Sequence, residues 1–312
     1  MNQQIDLISD ADCTAFLQWA LPRLNLRWPG FRKVHRQVCK RLKRRMSDLQ
    51  LTNFAAYRTR LEADPSEWQI LDQACHITIS RFFRDRGVFE AVRKRVLADI
   101  AARAKRERRE ARAWSAGCAS GEEAYTVKIL WDLEVANSCP GVSLSITATD
   151  VDKTMLARAR EGCFEPTSLR ELPPHLVRQA FDRVGQALCV RQQHREGIDF
   201  LFQDLRSEAP KPLFDLILCR YVAFTYFAVP LQHQILGRIV ERLLPNGYLV
   251  IGTHERLPGD AAAPTPLAGG PQIFQKAAAP PDGKLCLAPS PTERELPPRS
   301  VKGIRRRQVV RY

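Results

Sequence analysis

A chain of 312 residues with 45% hydrophobic and 26% charged side chains can bury one large core or two modest ones. Lys and Arg number 48 against 34 Asp and Glu, and the net charge of +14 predicts an acidic partner: nucleic acid, anionic lipid or a glutamate-rich protein. Met1 to Ala15 carries acids and no basic-then-apolar signal pattern, and Arg220 interrupts the longest apolar run, Leu216 to Pro230, so we expect a cytosolic chain that neither leaves the cell nor inserts in a membrane.

The first 90 residues read as helical, with helices near Ala11 to Leu24, Arg32 to Asp48, Asn53 to Ala63 and Glu67 to His76. Asp64-Pro65-Ser66 separates the last two. In the second helix Val34, Val38, Leu42 and Met46 form a narrow apolar stripe, while Arg32, Lys33, Arg36, Lys40, Arg41, Lys43, Arg44 and Arg45 cover the rest. Such a one-signed face is either a solvated surface or a dock for an acidic partner.

A second basic helix, Arg93 to Arg112, leads into a strand from Arg112 to Ser115. A helix over Tyr125 to Val135, a strand over Val142 to Thr149 with Asp150 at its end, and a helix over Lys153 to Arg160 follow. Farther on come an apolar strand, Phe214 to Cys219, an amphipathic helix, Leu231 to Leu244, and a strand, Gly247 to Gly252, after a Pro245-Asn246-Gly247 turn. Strands alternating with helices predict an open, mainly parallel α/β sheet that binds ligands at the carboxyl ends of its strands. Leu188 to Arg191 and Ile198 to Phe202 read as two short strands of a small antiparallel insert spanning residues 181–204. The tail, residues 277–312, is rich in Pro, Ala and Arg and is expected to be disordered.

Nine cysteines are scattered without a Cys-x-x-Cys pair, so reduced structural thiols are expected. The histidines show no helical metal spacing, and no metal is implied. Chemistry concentrates in Ala113-Trp-Ser-Ala-Gly-Cys-Ala-Ser-Gly-Glu-Glu-Ala-Tyr125, where a strand runs into two glycines and two carboxylates open a helix. Gly117 and Gly121 permit close backbone approach, and Asp150 closing the next strand can accept both hydroxyls of a ribose. Nicotinamide dehydrogenases and S-adenosylmethionine methyltransferases share that arrangement. Paired glutamates and the lack of Gly-x-Gly-x-x-Gly disfavour a pyrophosphate, and so favour the sulfonium cofactor.

The segment from Trp114 to Tyr125 is similar to the Trp-Ser-Ala-x-x-Ser-x-Gly-Glu-Glu-Pro-Tyr signature of CheR-type methyltransferases, which methylate glutamates of bacterial chemoreceptors. Four more segments resemble that family in order: Ser80 to Arg84, Ala148 to Asp152 with Leu156 to Gly162, Phe214 to Arg220, and Leu244 to Gly252. The likeness runs from about residue 8 to 276. It implies a helical N-terminal domain and linker (residues 1–90) and a class I, Rossmann-like methyltransferase domain (residues 91–276) carrying the antiparallel insert. In the family, that insert and the basic helix contact receptors. The resemblance further implies S-adenosylmethionine as cofactor, with Thr78, Ser80 and Arg84 reaching it from the linker. Gly117 would cradle it, Glu123 would meet its amino-acid end, Asp150 the ribose, and Asp204 and Leu205 the adenine; Arg220 and Tyr221 complete the site. Arg84, Tyr226 and Arg41 would face the substrate, an acidic protein such as chemoreceptor cytoplasmic helices, and we expect a monomer that does not act on nucleic acid.

This chain departs from the family run Cys-Arg-Asn-Val-x-Ile-Tyr-Phe at Cys219-Arg-Tyr-Val-Ala-Phe-Thr-Tyr-Phe227. Tyr221 replaces an asparagine and one residue is inserted, so a strict count puts Thr225 at the tyrosine position and a bulge restores Tyr226. We read Tyr226 there, because Phe227 keeps its neighbour. Cofactor binding is expected on any count. The acceptor stays open between a chemoreceptor glutamate and another carboxylate, and a weakly active cofactor sensor or scaffold is the third reading.

Overall fold

The computed structural model describes residues 9–259, 263–268 and 272–278. The expected disorder of residues 279–312 and the thiol of Cys286 lie outside the described residues.

Local signals start the N-terminal helices. Ser9 and Asp12 form a reciprocal capping box for Asp10–Ala20, Asn53 caps Phe54–Ala63, and Asp64 caps Pro65–Ala74 with Pro65 in the first turn. The basic helix begins at His35, because residues 28–31 form a separate short helix, Trp28–Phe31. Its stripe is buried as expected, with Val38, Leu42 and Met46 each fully covered by Phe16, Leu17, Tyr57 and their neighbours. The cationic face is narrower than expected. Arg45 turns inward to the buried Glu67, with Nε 3.0 Å from Oε1 and Nη2 2.7 Å from Oε2, and the Tyr57 hydroxyl donates to the same carboxylate.

Seven strands form one sheet in the order β6-β2-β1-β7-β8-β10-β9: β1 Ala111–Ala116, β2 Leu144–Asp150, β6 Ile198–Phe202, β7 Phe214–Leu218, β8 Leu243–Val250, β9 Thr265–Pro266 and β10 Ile273–Gln275. Strands β6, β2, β1, β7 and β8 are parallel, whereas β10 runs antiparallel to β8 and β9 to β10. Alternate residues feed two cores: Leu216, Leu218, Tyr248 and Val250 join one, Ile217, Leu249 and Ile251 the other. Both faces are therefore covered, as an all-apolar strand such as β7 requires. Chain order reverses between β1 and β7, so a crevice opens at their carboxyl ends.

Three expectations are corrected. Ile198–Phe202 does not belong to the insert; it pairs in parallel with β2 at the sheet edge. The insert is instead β3 Cys163–Phe164, β4 Phe181–Val184 and β5 Ala187–Val190, in the order β3-β5-β4. Pro245-Asn246-Gly247 lies inside β8 as a bulge rather than ahead of the strand: Phe214 pairs with Leu243 and Leu216 with Tyr248, so the extra residues of β8 loop out there, with Asn246 left-handed at φ 59°. The second basic helical stretch starts at Arg86 and ends at Glu107, where Arg108 adopts a left-handed conformation.

The cysteine expectation is also corrected in part. Cys13–Cys39 and Cys163–Cys189 are disulfides, the first joining two N-terminal helices and the second joining β3 to β5, while Cys75, Cys118, Cys139 and Cys219 are free thiols.

Candidate active site

The loop after β1 is shaped by backbone geometry that few residues adopt. Gly117 has φ 78° and Gly121 φ 91°, and the N–H groups of Gly117 and Cys118 both donate to Thr149 O, which pins the loop to the end of β2. A Cβ on Gly117 would stand 2.5 Å from Val222 Cγ2, so only glycine fits beside the segment after β7.

Two of the acids at this turn face the cleft in fixed positions, and a third is spent on the turn itself. Glu122 is buried, and its oxygens take the Ser120 hydroxyl. Glu123 Oε1 accepts from Ser115 Oγ at 2.7 Å, and Oε2 from Arg220 Nη1 at 3.1 Å. Asp150 Oδ2 accepts the Ala119 N–H at 2.8 Å and Oδ1 the Asp152 N–H at 2.9 Å. Burial raises the Asp150 pKa above its usual value, against these two hydrogen bonds. Asp152, rather than Asp150, caps the helix that follows, which leaves Asp150 for the cleft.

The linker forms the opposite wall. Phe82 and Phe83 are fully buried, as an anchor for Arg84 requires, and Arg84 lies between two residues in left-handed conformation, Phe83 at φ 57° and Asp85 at φ 64°. Its Nη1 donates to Ile79 O, and its guanidinium stacks 3.9 Å from the Tyr221 ring centroid. Arg220, only 7% exposed, ties this wall to the sheet by donating from Nη2 to Arg84 O and Asp85 Oδ2.

These walls enclose a cleft of about 1100 Å³, part of it open to solvent. Thr78, Ser80, Arg84, Gly117, Glu123, Asp150, Asp204, Leu205, Arg220, Tyr221 and Tyr226 all line it. Within the inserted run Tyr226 faces the cleft, while Thr225 turns away and donates its hydroxyl to Glu255.

Two expected residues stand differently. Arg41 is not in the wall; Nη1 donates to the carbonyls of Ala74 and His76, closing the end of the Pro65–Ala74 helix. The Asp204 carboxylate lines the cleft already engaged, both oxygens accepting from Arg206 Nε. Arg206 in turn makes a two-pronged pair with Asp72, at 2.9 and 2.8 Å. The sequence reading passed over Asp72, Asp85, Arg206 and Glu255; only the pairing of buried charges across elements distant in sequence reveals them.

The donor set fits S-adenosylmethionine. Carboxylates Glu123 and Asp150, a glycine approach and the apolar Leu205 suit an amino acid, a ribose and an adenine, whereas acids at this turn would repel a pyrophosphate. Among the described residues the buried Nε of Arg220 has no hydrogen-bond partner. Sheet order and cleft together define a class I S-adenosylmethionine-dependent methyltransferase.

Comparison with known proteins carries the assignment further. The family described as CheR methyltransferase, SAM binding domain, matches residues 78–269, and CheR methyltransferase, all-alpha domain, matches residues 35–73. The chain belongs to the CheR methyltransferase family. It is 34% identical over 226 residues to chemotaxis protein methyltransferase 2 of Pseudomonas aeruginosa, covering 70% of this chain and 77% of that one. Chemotaxis protein methyltransferase of Escherichia coli is 33% identical over 227 residues, covering 70% and 75%. An uncharacterized 104.1 kDa protein of Rhodobacter capsulatus is 32% identical over 222 residues, and the match spans only 23% of that longer chain. Among the described residues no helix is long and apolar enough to cross a membrane.

Proposed function

We propose that the chain is a protein-glutamate O-methyltransferase acting on cytoplasmic helices of a chemoreceptor. The observation that carries this reading is one cleft lined both by the carboxylates Glu123 and Asp150 and by Arg84 and Tyr226. The relatives named for chemotaxis support the substrate class. On this reading the protein works as a monomer in the cytoplasm, with residues 1–90 as a recognition domain and residues 91–276 as the transferase.

When bound, S-adenosylmethionine supplies an electrophilic methyl group on a sulfonium. Asp150 holds the ribose, Glu123 the amino-acid end, Leu205 and the Asp204–Arg206 pair the adenine face, and Thr78 and Ser80 close over it from the linker. Arg220 fixes Glu123, and Tyr221 supports Arg84. The acceptor glutamate is ionised near neutral pH and needs no base. Arg84 engages only Nη1 within the described residues, so Nε and Nη2 remain to hold one carboxylate oxygen and leave the other to attack. Burial pushes the Tyr226 hydroxyl up to about 12, so it stays protonated and donates a hydrogen bond that orients the acceptor. Catalysis then rests on placement and exclusion of water. None of the thiols at or beside the cleft is a nucleophile, because burial holds Cys75, Cys118 and Cys219 far above the usual thiol range.

Methyl-labelled cofactor with a purified chemoreceptor cytoplasmic fragment tests the proposal. Label released from the fragment as methanol by mild base is the expected outcome; label that survives base, or no label despite bound cofactor, contradicts it.

A further inference from the structure

Glu255 is 3% exposed and lies outside the cleft wall, yet its carboxylate collects three donors from two segments that shape the site. Oε2 accepts the Tyr221 N–H at 2.8 Å and the Gly252 N–H at 2.6 Å, and Oε1 accepts Thr225 Oγ1 at 2.6 Å. Each partner is tightly placed. Tyr221 holds a left-handed φ of 58°, uncommon for a side chain of its size, and a Cβ on Gly252 would come within 2.8 Å of both the Tyr221 ring and Glu255 Oε2. From the other side Arg27 gathers the carbonyls of the same turn: Nε donates to Thr225 O, Nη2 to Phe224 O, and its backbone N–H to Tyr226 O.

The turn so held is the one-turn helix Ala223–Tyr226. A single turn has almost no stability of its own, so its rotation is set by outside contacts. With Thr225 drawn to Glu255, the next side chain, about 100° farther round the turn, enters the cleft. We propose that Glu255 is the positioning residue that sets the register of Tyr226 in the cleft. The inference rests on the acceptor role of Tyr226 given above. Thr225 is the handle by which the turn is held.

Glu255→Ala removes all three bonds, Thr225→Val removes one while keeping shape, and Glu255→Gln can keep all three if the Thr225 hydroxyl reverses to accept from the new amide. A misplacement of about 1 Å costs about 100-fold in rate, so kcat should fall by about that factor in Glu255→Ala, by about tenfold in Thr225→Val, and recover most of the loss in Glu255→Gln. In Thr225→Val, which leaves the Tyr221 bond in place, cofactor affinity by calorimetry should not move. Combined with Tyr226→Phe, the Glu255→Ala loss should not add to the Tyr226 loss, as expected of residues acting as one unit. Fully additive losses, or a kcat equal to the parent in Thr225→Val, would overturn the inference. Hydrogen exchange at the Tyr221 and Gly252 amides needs no acceptor: exchange about tenfold faster in Glu255→Ala supports the clasp, and unchanged exchange overturns it, whatever substrate the enzyme proves to use.

Discussion

Arg220 donates from Nη1 to the Glu123 carboxylate at 3.1 Å, so the segment after β7 and the first turn of the Glu122–Leu130 helix are held together in the cleft wall. The same guanidinium reaches Asp85, and both acids are largely covered. Replacing Arg220 by Met leaves two carboxylates without their cation. Breaking a buried pair in this way costs about 3 kcal/mol. Urea denaturation should show that loss, and Glu123→Gln, which keeps a hydrogen-bonding shape, should lose clearly less.

If Asp150 holds the ribose as proposed, Asp150→Ala should weaken cofactor binding by more than about tenfold, the loss of a charged hydrogen-bond acceptor. Its raised pKa gives the pH direction. The folded chain keeps the Asp150 proton to a higher pH than the unfolded chain, so this group's contribution to stability declines as pH rises from 3.8 through the raised value. Cofactor affinity runs the other way, strengthening as the carboxylate ionises. Titration calorimetry at a series of acidic pH values checks both; affinity independent of Asp150 would refute the assignment.

Asp72 has the opposite sign. Burial opposes its ionisation, but hydrogen bonds from His76 and Arg206 outweigh burial and hold the carboxyl below 3.8. It therefore contributes stability that is present above its ordinary pKa and lost as pH falls through the lowered one. Asp72→Asn should cost about 1–2 kcal/mol at neutral pH, with the difference shrinking toward the acid end of a denaturation series. A constant difference across pH would contradict the pairing with Arg206.

Arg41→Ala separates a structural from a substrate-facing role. Its guanidinium serves the carbonyls of Ala74 and His76, so the variant should unfold at lower temperature by the equivalent of about 1 kcal/mol while binding cofactor normally. Calorimetric unfolding and cofactor titration on the same sample give both readings.

Much of this was legible in the chain. The glycines of residues 113–125 and the acid after the next strand mark their positions through local demands, a left-handed φ at Gly117 and a carboxylate at a strand end, which a sequence carries directly. The membership of Ile198–Phe202 was not legible, because a five-residue apolar run fits either an antiparallel insert or a parallel edge, and only the β2 register chooses. Arg41 and Arg45 sit among surface-type cations, yet their partners, a helix end and Glu67, lie elsewhere in the chain. The same holds for Glu255 and for Cys13–Cys39, whose pairings are properties of the folded packing.

The central claim is methyl transfer from cofactor to a receptor glutamate in the Asp150–Tyr226 cleft. Tandem mass spectrometry of a chemoreceptor cytoplasmic fragment after incubation with the protein and S-adenosylmethionine addresses it most directly. The account predicts a methyl ester on a glutamate side chain, lost when the protein carries Asp150→Ala; methylation at lysine, cysteine or a backbone terminus, or an unmodified fragment alongside bound cofactor, would contradict it.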